Sequence, residues 1–244
     1  MEFMKIDLSS LASVREFVDT FRASKLDLDV LILNAGVMFN KRTVTMDGFE
    51  TTLAVNYLAN VLLVSLLLPK IKASKDGRII FVSSGLHFNA KKFNFEDPMY
   101  EKGYSLFRSY SHSKLALLMY AQELQKRLFN EGCQVIVNSV SPGTVMTEIS
   151  RNMNIFMRAG NAAFKPLLAL FSKQPDAGAY GIVYAATTQL LRRGPDGKPL
   201  SIGGLYLVDS APKQYNQAAD VEVSRKKLWN LTEELIGRAN KKLK

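Results

Sequence analysis

Hydrophobic positions along the chain fall into two alternating kinds of segment. Residues 28–33, 78–82 and 134–140 are short runs rich in Val and Ile, each bounded by turn residues, the pattern of strands buried on both faces. Between them lie longer stretches, 11–21, 48–71 and 111–128, in which apolar residues recur at helical spacing. A fourth strand is predicted at 204–208, after a helical stretch at 176–191 and the breaker loop 194–199, and a last helix at 221–236. Strand and helix alternating at these lengths predict βαβ units, hence an α/β fold with a doubly wound parallel sheet. No repeat, low-complexity tract or linker separates a second domain, so residues 1–244 read as one domain.

Composition narrows the partners. With 47% hydrophobic and 22% charged residues, the chain has enough apolar surface for a full core, which excludes disorder and coiled coil. The net charge of +10 favours acidic ligands such as a phosphorylated cofactor. The positive residues are scattered, however, and only 241–244 form a short basic run, so nucleic acid is not an expected partner. The single cysteine, Cys133, forms no internal disulfide, and His87 and His112, the two histidines, are too few for a metal site. The strongest apolar run, 53–68, is interrupted by Asn56, Asn60 and Ser65 and falls short of the about 20 residues of a spanning helix, so a buried helix is expected there. Residues 1–8 carry acids and lack the apolar centre of a signal peptide, which makes a cytoplasmic chain the expectation.

Ligands of open α/β sheets lie outside the carboxyl ends of the strands. Three strands here end in small, polar, glycine-bearing turns: Asn34, Ala35 and Gly36; Ser83, Ser84 and Gly85; Ser141, Pro142 and Gly143. Each alone is an ordinary turn, whereas three at successive strand ends make a ligand rim. Tyr110 and Lys114 stand four apart in a helical stretch and so share a face. An ammonium beside a phenol favours the phenolate and fits Tyr110 for acid/base work. The spacing alone is weak, since Tyr104 and Arg108 make a similar pair six residues earlier.

Taken in order, Asn34-Ala35-Gly36, Asn56, Ser84, Tyr110 with Lys114, Pro142-Gly143 and Thr147 resemble the short-chain dehydrogenase/reductase family, over residues 7 to 237. Within it, Asp47 to Thr52 leading into Val55 to Leu58, Tyr110 to Ala116, Gly203 to Tyr206 and the long gap between Ser84 and Tyr110 are most similar to the retinol dehydrogenase and WW-domain oxidoreductase branch. The resemblance implies a Rossmann-like fold, NADP or NAD as cofactor, and interconversion of an alcohol and a carbonyl on a lipid-like substrate of retinoid or steroid type. It implies Tyr110 as acid/base, Lys114 as its tuner and as the holder of the nicotinamide ribose, Ser84 as the hydrogen-bond partner of the substrate oxygen, and Asn56 as the holder of a relay water. Asn34, Ala35 and Gly36 would line the adenosine side, Asp7 would meet the adenine, and Pro142, Gly143, Val145 and Thr147 would hold the nicotinamide end. Residues 154–171 fall where the family has its substrate lid, and their apolar side chains suit a lipophilic substrate, a membrane surface or plain core. A homodimer is compatible with the resemblance.

The chain departs from the family at its start. Residues 1–8 resemble the end of the family's third strand, so the expected fold is N-terminally incomplete, without the first two strands and the glycine-rich turn whose helix N-terminus takes a pyrophosphate. Two functions stay open: an NAD(P)-dependent oxidoreductase, or a catalytically silent interaction or regulatory protein on a remnant of that fold.

Overall fold

The computed structural model describes residues 2–143, 175–188 and 203–242. Its sheet has five strands in the order β1 (Val30–Leu33), β2 (Arg78–Val82), β3 (Ile136–Ser141), β4 (Tyr206–Val208) and β5 (Ala211–Pro212). The first four are parallel and β5 turns back antiparallel on β4. The turn between them, Asp209 and Ser210, has φ of 54° and 60°, the left-handed pair that a two-residue hairpin requires. This hairpin was not read in the sequence, because two residues are too few for a period to register. Residues 2–6 lie in no strand, contrary to the strand end expected near the start. Among the described residues β1 pairs with β2 alone and forms an edge of the sheet, with Ile32 42% exposed.

Three helices, α1 (Leu11–Ala23), α2 (Thr51–Ala73) and α3 (Leu106–Asn130), share one large core with the sheet residues Leu33, Ile79, Phe81 and Val137. A fourth, α4 (Pro175–Thr187), covers the other face, where Ala185 packs with Ile80, Val140 and Leu207. The fold is therefore α/β, parallel-dominated and covered on both faces, as the alternation predicts. By length and composition α2 is apolar enough to cross a membrane, yet it lies mostly buried in the core, as its interrupting polar residues lead one to expect.

The last helix, α5 (Glu222–Lys242), packs on α3 and α2. Trp229 stacks on Tyr120 with centroids 4.9 Å apart, the Arg127 guanidinium lies 4.0 Å from the Trp229 ring, and the Tyr57 hydroxyl meets Thr232 at 2.7 Å. The β3–β4 end is closed by two glycines pressed against α3: a Cβ on Gly203 would fall 1.6 Å from the Gln125 side chain, and Gly204, at φ 83°, lies against Gln122.

α3 begins five residues before the 111–128 stretch. Gly103, at φ 68°, turns the chain; Ser105 stays extended as the cap, and Leu106 and Tyr110 bury beside Met38. Tyr110 thus sits in the second turn of a continuous helix rather than at its start.

Candidate active site

Three strand ends and two helices build the site. α2 is wound as a π-turn over Ala54–Leu58, the kind of local widening that recurs at functional sites. There Asn56 is wholly buried; its Nδ2 donates to Val37 O and Ser113 Oγ, both at 3.0 Å, and its Oδ1 accepts from Val37 N at 2.8 Å. Asn60 Nδ2 donates to Asn56 O at 2.9 Å and so satisfies a carbonyl of the widened turn. Asn56 therefore straps the loop after β1 to α3, and Ser113 passes the strap on by donating to Tyr110 O at 2.7 Å. Ser113 was not singled out in the sequence; its only signal there is its place between Tyr110 and Lys114.

Lys114 is 3% exposed, and its ammonium donates to Val82 O at 2.8 Å. Burial lowers its pKa to about 8. Its Nζ lies 5.6 Å from the centroid of the Tyr110 ring. A Cβ on Gly36 would stand 3.4 Å from this Nζ and 3.5 Å from Asn56 Oδ1, so Gly36, Asn56 and Lys114 converge on one floor.

Tyr110 is 4% exposed, and burial raises its pKa, opposed by a hydrogen bond with the Ser84 side chain. The Lys114 ammonium lies by the ring with its own hydrogen bond spent on Val82, and Ser84 is a second group that favours the phenolate. Ser84, at the end of β2, also accepts from Leu86 N at 3.3 Å as the cap of a 3-10 turn over Gly85–Asn89. Ser83 points the other way, its Oγ donating to Lys114 O at 3.3 Å, as the alternation of a strand requires.

The remaining expected residues divide. Asn34 and Ala35 are exposed at the end of β1, beside Gly36. Pro142 and Gly143, the latter at φ 79°, follow β3; Pro142 and Ser141 line a cleft of about 280 Å³ with Gly178, Gly181 and Ser210. Asp7 is bound up locally: its Oδ1 accepts from Ser9 N at 2.8 Å and Ser9 Oγ at 2.7 Å, bonds that lower its pKa, and it faces a groove along α1 with Ser10 and Ser13. Val145, Thr147 and the segment 154–171 lie outside the described residues.

A strand-end rim carrying buried Tyr110, Lys114 and Asn56 with a half-buried Ser84 on a parallel sheet defines an α/β oxidoreductase. The chain matches the short chain dehydrogenase family over residues 1–157 and belongs to it, a family of NAD(P)-dependent oxidoreductases. It is 36% identical over 241 residues to human polyprenol dehydrogenase, covering 97% of this chain and 69% of that one. It is 38% identical over 237 residues to mouse retinol dehydrogenase 14, covering 96% and 66%. Among solved structures, an uncharacterised protein from Mycobacterium paratuberculosis superposes with a TM-score of 0.72 at 28% identity, covering 97% of this chain and 75% of that one. These relatives place the chain in the retinol dehydrogenase-like branch.

The residues present fit the nicotinamide ribose end of a dinucleotide. Lys114 spends one of its three N–H groups on Val82, and Gly36 leaves room above it. The N-termini of α1 and α2 are by contrast already taken by carboxylates: Asp47 Oδ2 accepts from Leu11 N at 2.9 Å, and Glu50 accepts from Thr52 N and Leu53 N, each at 2.9 Å. At both helix ends a carboxylate thus stands where a pyrophosphate would bind.

The low pKa of Lys114 has a consequence for stability. Between pH 8 and 10.5 the unfolded chain holds this proton while the folded chain has released it, so the burial penalty, fully present below pH 8, is relieved as pH rises. Urea unfolding of wild type from pH 7.5 upward, below the tyrosine range near pH 10, is expected to show stability gaining with pH relative to Lys114→Met. Parallel curves for the two proteins would contradict a buried ammonium here.

Proposed function

We propose that this chain interconverts an alcohol and a carbonyl on a lipid-like substrate, of retinoid or steroid type, using NADP in preference to NAD. The observation that carries the reading is the Tyr110 hydroxyl beside the Ser84 side chain, which favours its phenolate, with the Lys114 ammonium buried 5.6 Å from the ring centroid. When bound, the nicotinamide cofactor supplies or takes the hydride. Tyr110 gives its proton to the substrate oxygen during reduction and takes it back during oxidation, while Ser84 holds the same oxygen by a second hydrogen bond. The buried Lys114 ammonium stabilises the phenolate that Tyr110 leaves behind and binds the ribose hydroxyls. Asn56 holds the floor in place and a relay water toward solvent. Asn34, Ala35 and Gly36 line the adenosine side, Asp7 meets the adenine, and Pro142, Gly143, Val145 and Thr147 hold the nicotinamide end. The apolar residues of 154–171 favour a lipophilic substrate and peripheral contact with a membrane on the cytoplasmic side.

Support for a lipid-like substrate comes from the relatives named polyprenol dehydrogenase and retinol dehydrogenase. The test is steady-state kinetics with NADPH and NADH on a retinal-like aldehyde and on a small polar ketone. The apolar aldehyde is expected to give the higher kcat/KM, and preference for the polar ketone would overturn the assignment.

A second reading, a catalytically silent interaction protein, is favoured by the carboxylates that fill the N-termini of α1 and α2. Calorimetric titration of both cofactors separates the two. Saturable binding supports the enzyme, and a folded chain that takes up neither supports the silent protein.

A further inference from the structure

We propose that His87 and Asn216 form a positioning pair that fixes, from behind, the turn on which Ser84 stands. The inference deepens the proposed function and rests on that reading of Ser84. His87 is wholly buried, and both of its ring nitrogens are aimed at backbone. Nδ1 lies 2.5 Å from Ser84 O, and Nε2 lies 3.3 Å from Asn216 N, which is 129 residues away in the chain. Asn216 answers with its side chain: Nδ2 donates to His87 O at 2.9 Å and to Ala90 O at 2.6 Å, and Oδ1 accepts from Ala218 N at 2.9 Å.

The chemistry of the partners sets the tautomer. A backbone N–H only donates, so Nε2 must accept, and the ring proton must sit on Nδ1, where it donates to Ser84 O. The imidazole is held neutral by its surroundings, edge-on to Tyr206 at 4.9 Å and tilted against Phe88 at 4.2 Å. Burial accordingly lowers its pKa, against the Ser84 carbonyl, which raises it. A buried side chain that served packing alone would be cheaper as a hydrocarbon. This one instead spans from the segment before α5 to the carbonyl of the residue whose hydroxyl meets Tyr110.

The need for such a brace lies at Gly85, the residue after Ser84, where a Cβ would meet nothing within 4 Å. The space beside this residue is open, and glycine has the widest backbone freedom. The Ser84 carbonyl is instead held by His87 through Nδ1 and through His87 N at 3.1 Å. With the carbonyl fixed, the extended Ser84 backbone, φ −160° and ψ 148°, aims the side chain at Tyr110. Losing the brace leaves the core intact and lets the Ser84 hydroxyl drift.

Two measurements on the full chain test the pair. In the first, Asn216→Asp keeps the cap on Ala218 but sets a carboxylate against the carbonyls of His87 and Ala90. It is expected to lower kcat for the aldehyde by about 10²-fold with KM changed less than about twofold. In a Ser84→Ala background the same change is expected to cost little more, because the aim of an absent hydroxyl no longer matters. A loss in KM alone, or fully additive losses, would overturn the pair. The second measurement needs neither a variant nor turnover. Nitrogen-15 NMR of wild type is expected to show His87 neutral with the proton on Nδ1, and a proton on Nε2 would overturn the pair. A chain that turns over no aldehyde but shows the Nδ1 proton refutes the proposed activity and leaves the brace standing.

Discussion

Tyr110→Phe is expected to slow aldehyde reduction by about 10² to 10⁴-fold while changing cofactor affinity and melting temperature little. The substitution removes one oxygen and keeps the ring that packs with Met38 and Leu106. Ser84 loses the phenol hydroxyl as a neighbour but retains the N–H of Leu86, so the turn keeps its cap. What disappears is the proton donor. Steady-state kinetics with calorimetric binding of the cofactor separates these effects, and full turnover by the Phe variant would remove Tyr110 from the chemistry.

Arg78→Met is expected to destabilise the protein by about 3 kcal/mol without touching the site. Arg78 is 2% exposed in β2, and its Nη1 donates to Thr188 O at 2.7 Å and Ala185 O at 3.4 Å, carbonyls at the end of α4. Its Nε and Nη2 pair with Asp76 at 3.1 and 3.2 Å. Methionine fills much of the volume but removes the N–H groups that the Thr188 and Ala185 carbonyls and the Asp76 carboxylate take from Arg78. Asp76 is 41% exposed, so most of the loss belongs to the carbonyls rather than to the ion pair. Urea unfolding is expected to show a lower midpoint at unchanged slope. A midpoint equal to wild type would mean that the end of α4 finds other donors.

The parts of the fold that carry a period were legible in the sequence. The run at 78–82 became β2 with the same ends, while those at 28–33 and 134–140 became β1 and β3 with one or both ends shifted by one or two residues, because apolar content marks a buried strand well and its hydrogen-bonded limits less well. The start of α3 was not legible, since Ser105, Arg108 and Ser109 break up the apolar pattern although Leu106, Ser109 and Tyr110 all bury. Nor was the π-turn. It depends on Asn60 reaching back to Asn56 O, a contact that no propensity encodes. In the site, Asn56, Ser84, Tyr110 and Lys114 were recognisable by order and spacing, and the structure brings them to one rim. The electrostatics were not recognisable. Spacing put Lys114 beside Tyr110, but only the fold reveals that Val82 takes the ammonium's bond and that burial dominates both groups. Nor does the sequence show that Asp7 ties its Oδ1 to Ser9 at the edge of the groove along α1.

The seating of α5 bears on the order in which the molecule is made. Tyr57 and Tyr120, on α2 and α3, emerge from the ribosome more than a hundred residues before Thr232 and Trp229, which cover them. Throughout that interval the nascent chain carries an aromatic face that its own later helix is to occupy, and the sheet below has time to pair before the face is sealed. Trp229 is also the single tryptophan of the chain. Its fluorescence therefore reports when this final piece docks and is blind to events at the strand-end rim.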